Sequence, residues 1–281
     1  MKRMFVAWFG VGAYVRWVQP LSALYHSLFR TGDMREQGLG LACELIADGD
    51  VVFDVGAHIG KFTAIAAQRV GQTGRVVSFE PVGWSRAVLA RMVRLRGLRQ
   101  VQIVAAGVSD HSGTGVMRVP LRADGRPEFM LSYVSGAQAK GEAANDVANE
   151  EHVALITLDE YCDQHELKQV DFIKCDTEGH ESEVFRGAVR LLERARPTIY
   201  CEISAKYEAR AGSKPDDLFS VLGARGYLAF LTDRDGRSLV RVEGYQRDTD
   251  YLFIHADRLP LVTRRISPLR VVAKGAAPSY A

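Results

Sequence analysis

Apolar residues in this chain fall into short runs, and most runs end in an acid or a glycine. Residues 51–55, 75–79, 101–105, 171–175, 198–201, 227–231 and 250–255 are such runs, rich in Val, Ile, Phe and Tyr, and read as strands. Between them apolar residues recur at three- and four-residue steps. Residues 34–47 follow that step through Leu39, Cys43 and Ile46, as do 61–70, 85–96, 181–193 and 214–223, and all five read as helices. Asp48-Gly49-Asp50 and 71–74 are turns. Thr157-Leu158-Asp159 opens a short helix with Thr157 as its N-cap, and Pro215 fits a first helical turn. Strands alternating with helices predict an α/β fold, a parallel sheet covered on both faces.

The alternation lapses in the middle. Residues 115–120 and 128–134 read as a β-hairpin around Ala123-Asp124-Gly125. Residues 135–150 have no period and read as a mobile lid loop. Gly236 between the last two strands permits an antiparallel insertion. Beyond Asp257 the chain is basic and proline-punctuated, and reads as a frayed tail. These patterns divide the chain into a helical extension at 1–33, a main domain at 34–257 and a tail at 258–281.

Two glycine and acid clusters carry the chemistry. The first is Phe53-Asp54-Val55-Gly56-Ala57-His58-Ile59-Gly60, with Glu80 following twenty residues after Gly60 at the end of the next strand. A strand, a glycine turn, a helix and a second strand ending in a carboxylate make a nucleotide-type site, in which Glu80 can hold a ribose diol. The spacing is not G-x-G-x-x-G, and Asp54 ahead of the turn would repel a pyrophosphate. A ligand with a ribose, an ammonium and a sulfonium suits it better. S-adenosylmethionine has all three, and its carboxylate can face the helix that starts near Gly60. A nicotinamide cofactor fits less well for the same reasons. The bland alternative is a tight turn without a ligand, and Glu80 at this distance weighs against it.

The second cluster is Lys174-Cys175-Asp176-Thr177-Glu178-Gly179-His180-Glu181, where an apolar strand runs into three carboxylates and a histidine. Ligands of doubly wound sheets lie beyond the carboxyl ends of the strands. The two clusters should therefore face one crevice, with Glu202 at the end of the fifth strand converging on Asp176 and Glu178. Like charges there raise one another's pKa, which suits a general base. The competing readings are an ion pair for Lys174, helix-terminus charges for Glu178 and Glu181, and an exposed first-turn residue for His180.

Bulk properties narrow the rest. The chain has 281 residues, 47% of them hydrophobic, and a formal net charge of +2. That charge argues against a general nucleic-acid binder. Cys43, Cys162, Cys175 and Cys201 lack metal-ligand spacing and read as buried thiols of a reducing, cytoplasmic compartment. Residues 4–15 and 17–29 are uncharged but too short to span a bilayer. They read as a packed helical extension or, with Trp8, Tyr14, Trp17 and Tyr25, as a peripheral membrane contact through residues 4–29. The extension could equally pack on a second subunit of a homodimer.

With both clusters in place, the chain resembles the FkbM-type family of S-adenosylmethionine-dependent methyltransferases. Besides the two clusters, Phe79-Glu80-Pro81, Ser109-Asp110, Thr157-Leu158-Asp159, Gly187-Ala188, Arg196-Pro197 and Glu202 carry the resemblance, over roughly residues 35–257. His58 stands where asparagine is also common, and Thr177 replaces a usual aliphatic. The resemblance implies a class I methyltransferase: a Rossmann-like doubly wound sheet of seven strands, the last antiparallel. It also implies O-methylation of a hydroxyl on a sugar, glycolipid, other glycan, small-molecule or polyketide-type acceptor. Asp54, Gly56, His58 and Gly60 would form the methionine-side turn, Glu80 would take the ribose, and Ser109 and Asp110 would lie near adenine. Asp176, Glu178 and His180 would be catalytic. No resident metal is expected, although three carboxylates could hold Mg²⁺ or Ca²⁺. The competing class is a non-catalytic binding or scaffold protein on the same fold.

Overall fold

The computed structural model describes residues 39–120, 133–134, 147–232, 238–265 and 270–272. The expected N-terminal extension and membrane contact, the hairpin tip and most of the lid loop lie outside the described residues. In chain order the elements are α1 (Leu39–Glu44), β1 (Val51–Val55), α2 (Lys61–Arg69), β2 (Arg75–Phe79), α3 (Gly83–Arg96), β3 (Val101–Val104), β4 (Ala106–Val108), β5 (Gly113–Pro120), β6 (Tyr133–Val134) and β7 (Val147–Ile156). They continue with α4 (Leu158–Gln164), β8 (Phe172–Cys175), α5 (Glu181–Arg186), α6 (Val189–Ala195), β9 (Thr198–Ile203), α7 (Ala205–Ala211), α8 (Pro215–Gly223), β10 (Tyr227–Thr232), β11 (Ser238–Val242), β12 (Thr249–His255), a 3-10 turn (Ala256–Arg258), α9 (Leu259–Arg265) and β13 (Arg270–Val272).

The main sheet runs β13-β11-β10-β12-β9-β8-β1-β2-β3. From β3 to β9 all pairings are parallel, and β12 is antiparallel to both β9 and β10. Within it are the expected seven strands with an antiparallel last strand. Two further strands, β11 and β13, extend the β10 edge. The chain order reverses between β1 and β8, so the crevice opens where those two strands end.

Strand alternation divides the core. Phe53 and Val55 of β1 pack with α4, α5, α6 and α8 on one face. Val52 packs with α1, α2 and Val262 of α9 on the other. Asp54 shares the α2 face with Val52, in the period-two register of a strand, and is fully buried.

Several elements differ from expectation. Val147–Ile156 is a long strand where the sequence predicts the end of a loop. Its Val153 and Leu155 are buried while His152 and Ala154 are exposed, so alternation overrides the poor strand propensity of its Ala, Asn and Glu residues. It pairs with β5 and, in parallel, with β4, while β6 pairs the far side of β5 as the hairpin predicts. The helix expected at 181–193 is two helices. A side chain at Gly187 would run into the main chain of Ser109, and Gly187 O accepts Asp159 N–H. Thr157 caps α4 as expected, accepting from Glu160 N–H at 3.0 Å. α7 was not expected at all. The start of the tail expected to fray is corrected: α9 buries Val262 in the core, and Arg265 Nη1 donates to Leu45 O and Asp50 Oδ2, while residues 266–269 and 273–281 lie outside the described residues. No helix among the described residues is long and apolar enough to cross a membrane.

Candidate active site

The turn after β1 has little freedom. Gly56 N–H and Ala57 N–H both donate to Phe79 O, at 3.1 and 3.0 Å. Gly56, His58 and Gly60 have φ of 75°, 49° and 88°. A side chain on Gly56 would collide with the main-chain oxygen of Asp176, so the turns after β1 and β8 touch backbone to backbone. Glycine is required there by both the conformation and the contact. Gly60 closes the turn and precedes α2 without any side-chain cap, and Lys61 and Phe62 of that helix's first turn line the crevice.

Asp54 lies beneath this turn. Thr63 Oγ1 donates to Asp54 Oδ2 at 2.5 Å, so the 2.9 Å contact between Thr63 and Ser78 has Ser78 as donor. Asp54 Oδ1 accepts no hydrogen bond among the described residues and faces Lys174 Nζ at 3.8 Å. Burial raises the Asp54 pKa, with Lys174 and Thr63 opposing the shift. Lys174 Nζ also donates to Gly56 O at 3.0 Å and pairs with Asp176 at 3.1 Å. Burial disfavours its charge, but Asp176 and Asp54 outweigh burial and hold it above the usual lysine range. Lys174 thus ties the two acidic clusters together through one part-buried cation.

Glu80 is 5% exposed. Its Oε2 accepts His58 N–H at 2.7 Å and its Oε1 accepts Val82 N–H at 2.9 Å. Burial pushes its pKa up to about 7 against those two bonds. Each oxygen retains a second lone pair.

The turn after β8 carries the other carboxylates. Glu178 sits at φ 60°. Burial, then Asp176 and Glu202, raise its pKa to about 8. Its Oε2 is buried and accepts no hydrogen bond among the described residues. Glu181 instead accepts Thr177 N–H, Thr177 Oγ1–H and Gly179 N–H at 2.6, 2.8 and 3.0 Å. Burial and Glu208 raise its pKa to about 8. It staples the turn that presents Asp176 and Glu178. His180 Nε2 lies 3.0 Å from Ser109 Oγ, and Nδ1 is 3.8 Å from Glu183 Oε2, beyond hydrogen-bond reach. Burial lowers its pKa.

These groups surround a cavity of about 550 Å³ at the carboxyl ends of the strands. Gly56, His58, Glu80, Asp176, Glu178 and His180 all line it. Asp54 and Gly60 support it from beneath. Ser109 is fully buried and bonds His180 and Asp110, which puts Ser109 and Asp110 behind His180 and not on the wall. Glu202 lines the cavity as the strand order predicts, joined by Lys61, Met117, Tyr200, Tyr207 and Asp250, which the sequence motifs do not mark. Tyr207 and Asp250 had one available signal, their position just beyond or at the end of a strand next to the crevice. Met117 had none, because it comes from the inserted sheet. Among the described residues no group of three or more His, Cys, Asp or Glu is arranged to hold a metal ion.

The cavity fits a nucleoside-bearing cation. Its volume lies within the ~300–1,000 Å³ of small-molecule sites. Glu80 offers lone pairs for a diol, Phe79, Val108 and Met117 are apolar lining for a flat base, and Asp176, Glu178 and Glu202 add further carboxylates.

A family profile described as Methyltransferase FkbM domain matches residues 54–229. No curated protein matches the chain. Among solved structures, it is similar to methyltransferase FkbM from Methylobacillus flagellatus KT, at 16% identity over 87% of this chain and 60% of that one, with a TM-score of 0.45. It is also similar to a SAM-dependent methyltransferase from Aquifex aeolicus, at 14% identity over 84% of this chain and 97% of that one, TM-score 0.42. Aeropyrum pernix fibrillarin, solved with natively bound S-adenosyl-L-methionine, aligns at 14% identity over 79% of this chain and 76% of that one, TM-score 0.42. The chain thus spans 60% of the length of the Methylobacillus protein.

Proposed function

Because the chain belongs to the FkbM methyltransferase-domain family, whose cofactor is S-adenosylmethionine, we propose that it transfers a methyl group to an aliphatic hydroxyl of a sugar, glycolipid or polyketide-type acceptor. The observation that carries the reading is Glu178: a carboxyl on the cavity wall, pushed up to about 8 by burial and by Asp176 and Glu202. A hydroxyl is a poor acid, and its proton needs a base whose pKa lies near the working pH.

S-adenosylmethionine, when bound, supplies an electrophilic methyl carbon on a sulfonium. Glu80 would hold the ribose hydroxyls, and the first-turn amides of α2 would face the methionine carboxylate. Glu178 takes the acceptor proton as the oxygen attacks. Asp176, held by Lys174, orients the acceptor hydroxyl. His180 closes the wall, held by Ser109. Alignment of acceptor and methyl group supplies up to ~7–11 kcal/mol of the barrier in favourable cases, and a positioned base adds ~10²–10⁴-fold.

The test begins with calorimetric titration of the full chain with S-adenosylmethionine, followed by an acceptor screen with labelled methyl donor. Binding is expected, and its absence would favour the scaffold reading. Turnover should rise with pH through about 8 as Glu178 ionises. Glu178→Gln should lose ~10²–10⁴-fold and that pH limb, and Asp176→Asn should also lose turnover, each with donor binding retained. Near-full turnover in both variants rules out the carboxylate assignment.

A further inference from the structure

The inserted sheet and the loop bearing Glu80 are joined at one charged contact. α3 is 14 residues long, and its N-cap, Val82, offers no side-chain cap. The cap comes instead from β7, 68 residues away, where both carboxylate oxygens of Glu151 accept Gly83 N–H, at 3.0 and 3.2 Å. A carboxylate at a helix N-terminus also meets the positive end of the helix dipole. Glycine at 83 leaves it room, since a Cβ there would stand 3.0 Å from Glu151 Oε1. Beside this contact, Val82 packs in one apolar cluster with Met117, Val153 and Leu155 of the inserted sheet. Val82 and Met117 both line the cavity.

The loop held this way is the one that aims Glu80. Val82 N–H donates back to Glu80 Oε1, and Arg86 Nη1 donates to Glu80 O and Pro81 O. We propose that Glu151 is a positioning residue for the cofactor site: by capping α3 from the inserted sheet, it holds the Glu80 loop in the geometry that accepts a ribose diol. The inference rests on the methyltransferase reading. It gives the inserted sheet a second part in the cofactor site, beside Met117 on the cavity wall.

Calorimetric titration of the full chain with S-adenosylmethionine and with S-adenosylhomocysteine tests it. Glu151→Ala should weaken both ligands by roughly fivefold, the factor that corresponds to one helix-capping bond. Glu151→Gln keeps an acceptor oxygen and should recover most of the affinity. Glu150→Ala is the control, because Glu150 is the next residue on β7 but pairs with Arg118 across the sheet; it should bind both ligands as the parent chain does. A purely structural role would lower the melting temperature of Glu151→Ala without changing affinity, and that result overturns the proposal. Equal weakening by Glu150→Ala overturns it as well. If Glu151→Ala does not fold, Glu151→Asp decides, because it keeps the charge but draws the carboxylate back by one methylene from Gly83 N–H: threefold or greater weakening of both ligands supports the cap, and affinity closer to the parent's than that overturns it. Failure of the parent chain to bind either ligand removes the methyltransferase reading itself, and this inference with it.

Discussion

Glu80 shows how one side chain serves a turn and a ligand together. Its two oxygens each face a main-chain N–H, from His58 and from Val82. In Glu80→Gln only one oxygen remains, so the amide NH₂ must face one of those donors. An unpaired buried donor costs ~1–3 kcal/mol. Glu80→Gln should therefore lower the melting temperature and weaken S-adenosylmethionine binding by about tenfold or more; unchanged affinity in calorimetry contradicts the ribose role. The sequence marks Glu80 because its spacing from Gly60 follows from a strand-helix-strand unit. It cannot show that Asp54, four residues before His58, turns away beneath the turn to accept Thr63. Nor can it show that Ser109 meets His180, since 71 residues separate them and only packing brings them to 3.0 Å.

Elements were legible where the local pattern and the tertiary packing agree. β1, β2, β8 and β9 are apolar runs buried on both faces, and their positions follow from sequence within a few residues. The break between α5 and α6 follows instead from the close approach of Gly187 to the Ser109 main chain, a contact no local pattern encodes. α7 was missed because its buried residue is a carboxylate, Glu208, and not an apolar stripe. The Thr157-Leu158-Asp159 motif also changes meaning at this scale. Asp159 accepts Arg190 N–H at 3.0 Å and Leu191 N–H at 2.8 Å, so it caps α6, which has no side-chain cap at its own N-cap position. Asp159→Ala should destabilise the protein by ~1–2 kcal/mol and leave S-adenosylmethionine affinity unchanged. Thermal melts with calorimetry check this, and lost affinity at unchanged stability would contradict a structural role.

The whole molecule carries a pH signature of its buried acids. Glu80 is pushed up to about 7, and Glu178 and Glu181 to about 8, in each case first by burial. The ordinary glutamate value is 4.5. Between that value and about 8 the folded state binds more protons than the unfolded one, so stability falls as pH rises through this window. His180 and His255, shifted down by burial, act in the opposite direction, losing stability as pH falls through the histidine range, but burial also raises Asp54 and Glu208, so the raised carboxyls outnumber them. The ligand-free protein should melt several degrees lower at pH 8.5 than at pH 5.5, and a flat or rising profile contradicts the burial of these carboxyls. The sequence alone determined the order of strands and helices, the glycine turn, Glu80 and the acidic run after β8, because each is set by neighbours within a turn or a strand. Only the tertiary structure decided that Asp54 supports the site from below, that Lys174 joins the two clusters, and that an inserted sheet caps α3 through Glu151. The Lys174–Gly56 and Glu151–Gly83 contacts join residues 118 and 68 positions apart, and even the Asp54–Thr63 bond, nine positions apart, links a strand to a helix packed on it; these partners are chosen by packing and sheet order, which local periodicity does not contain.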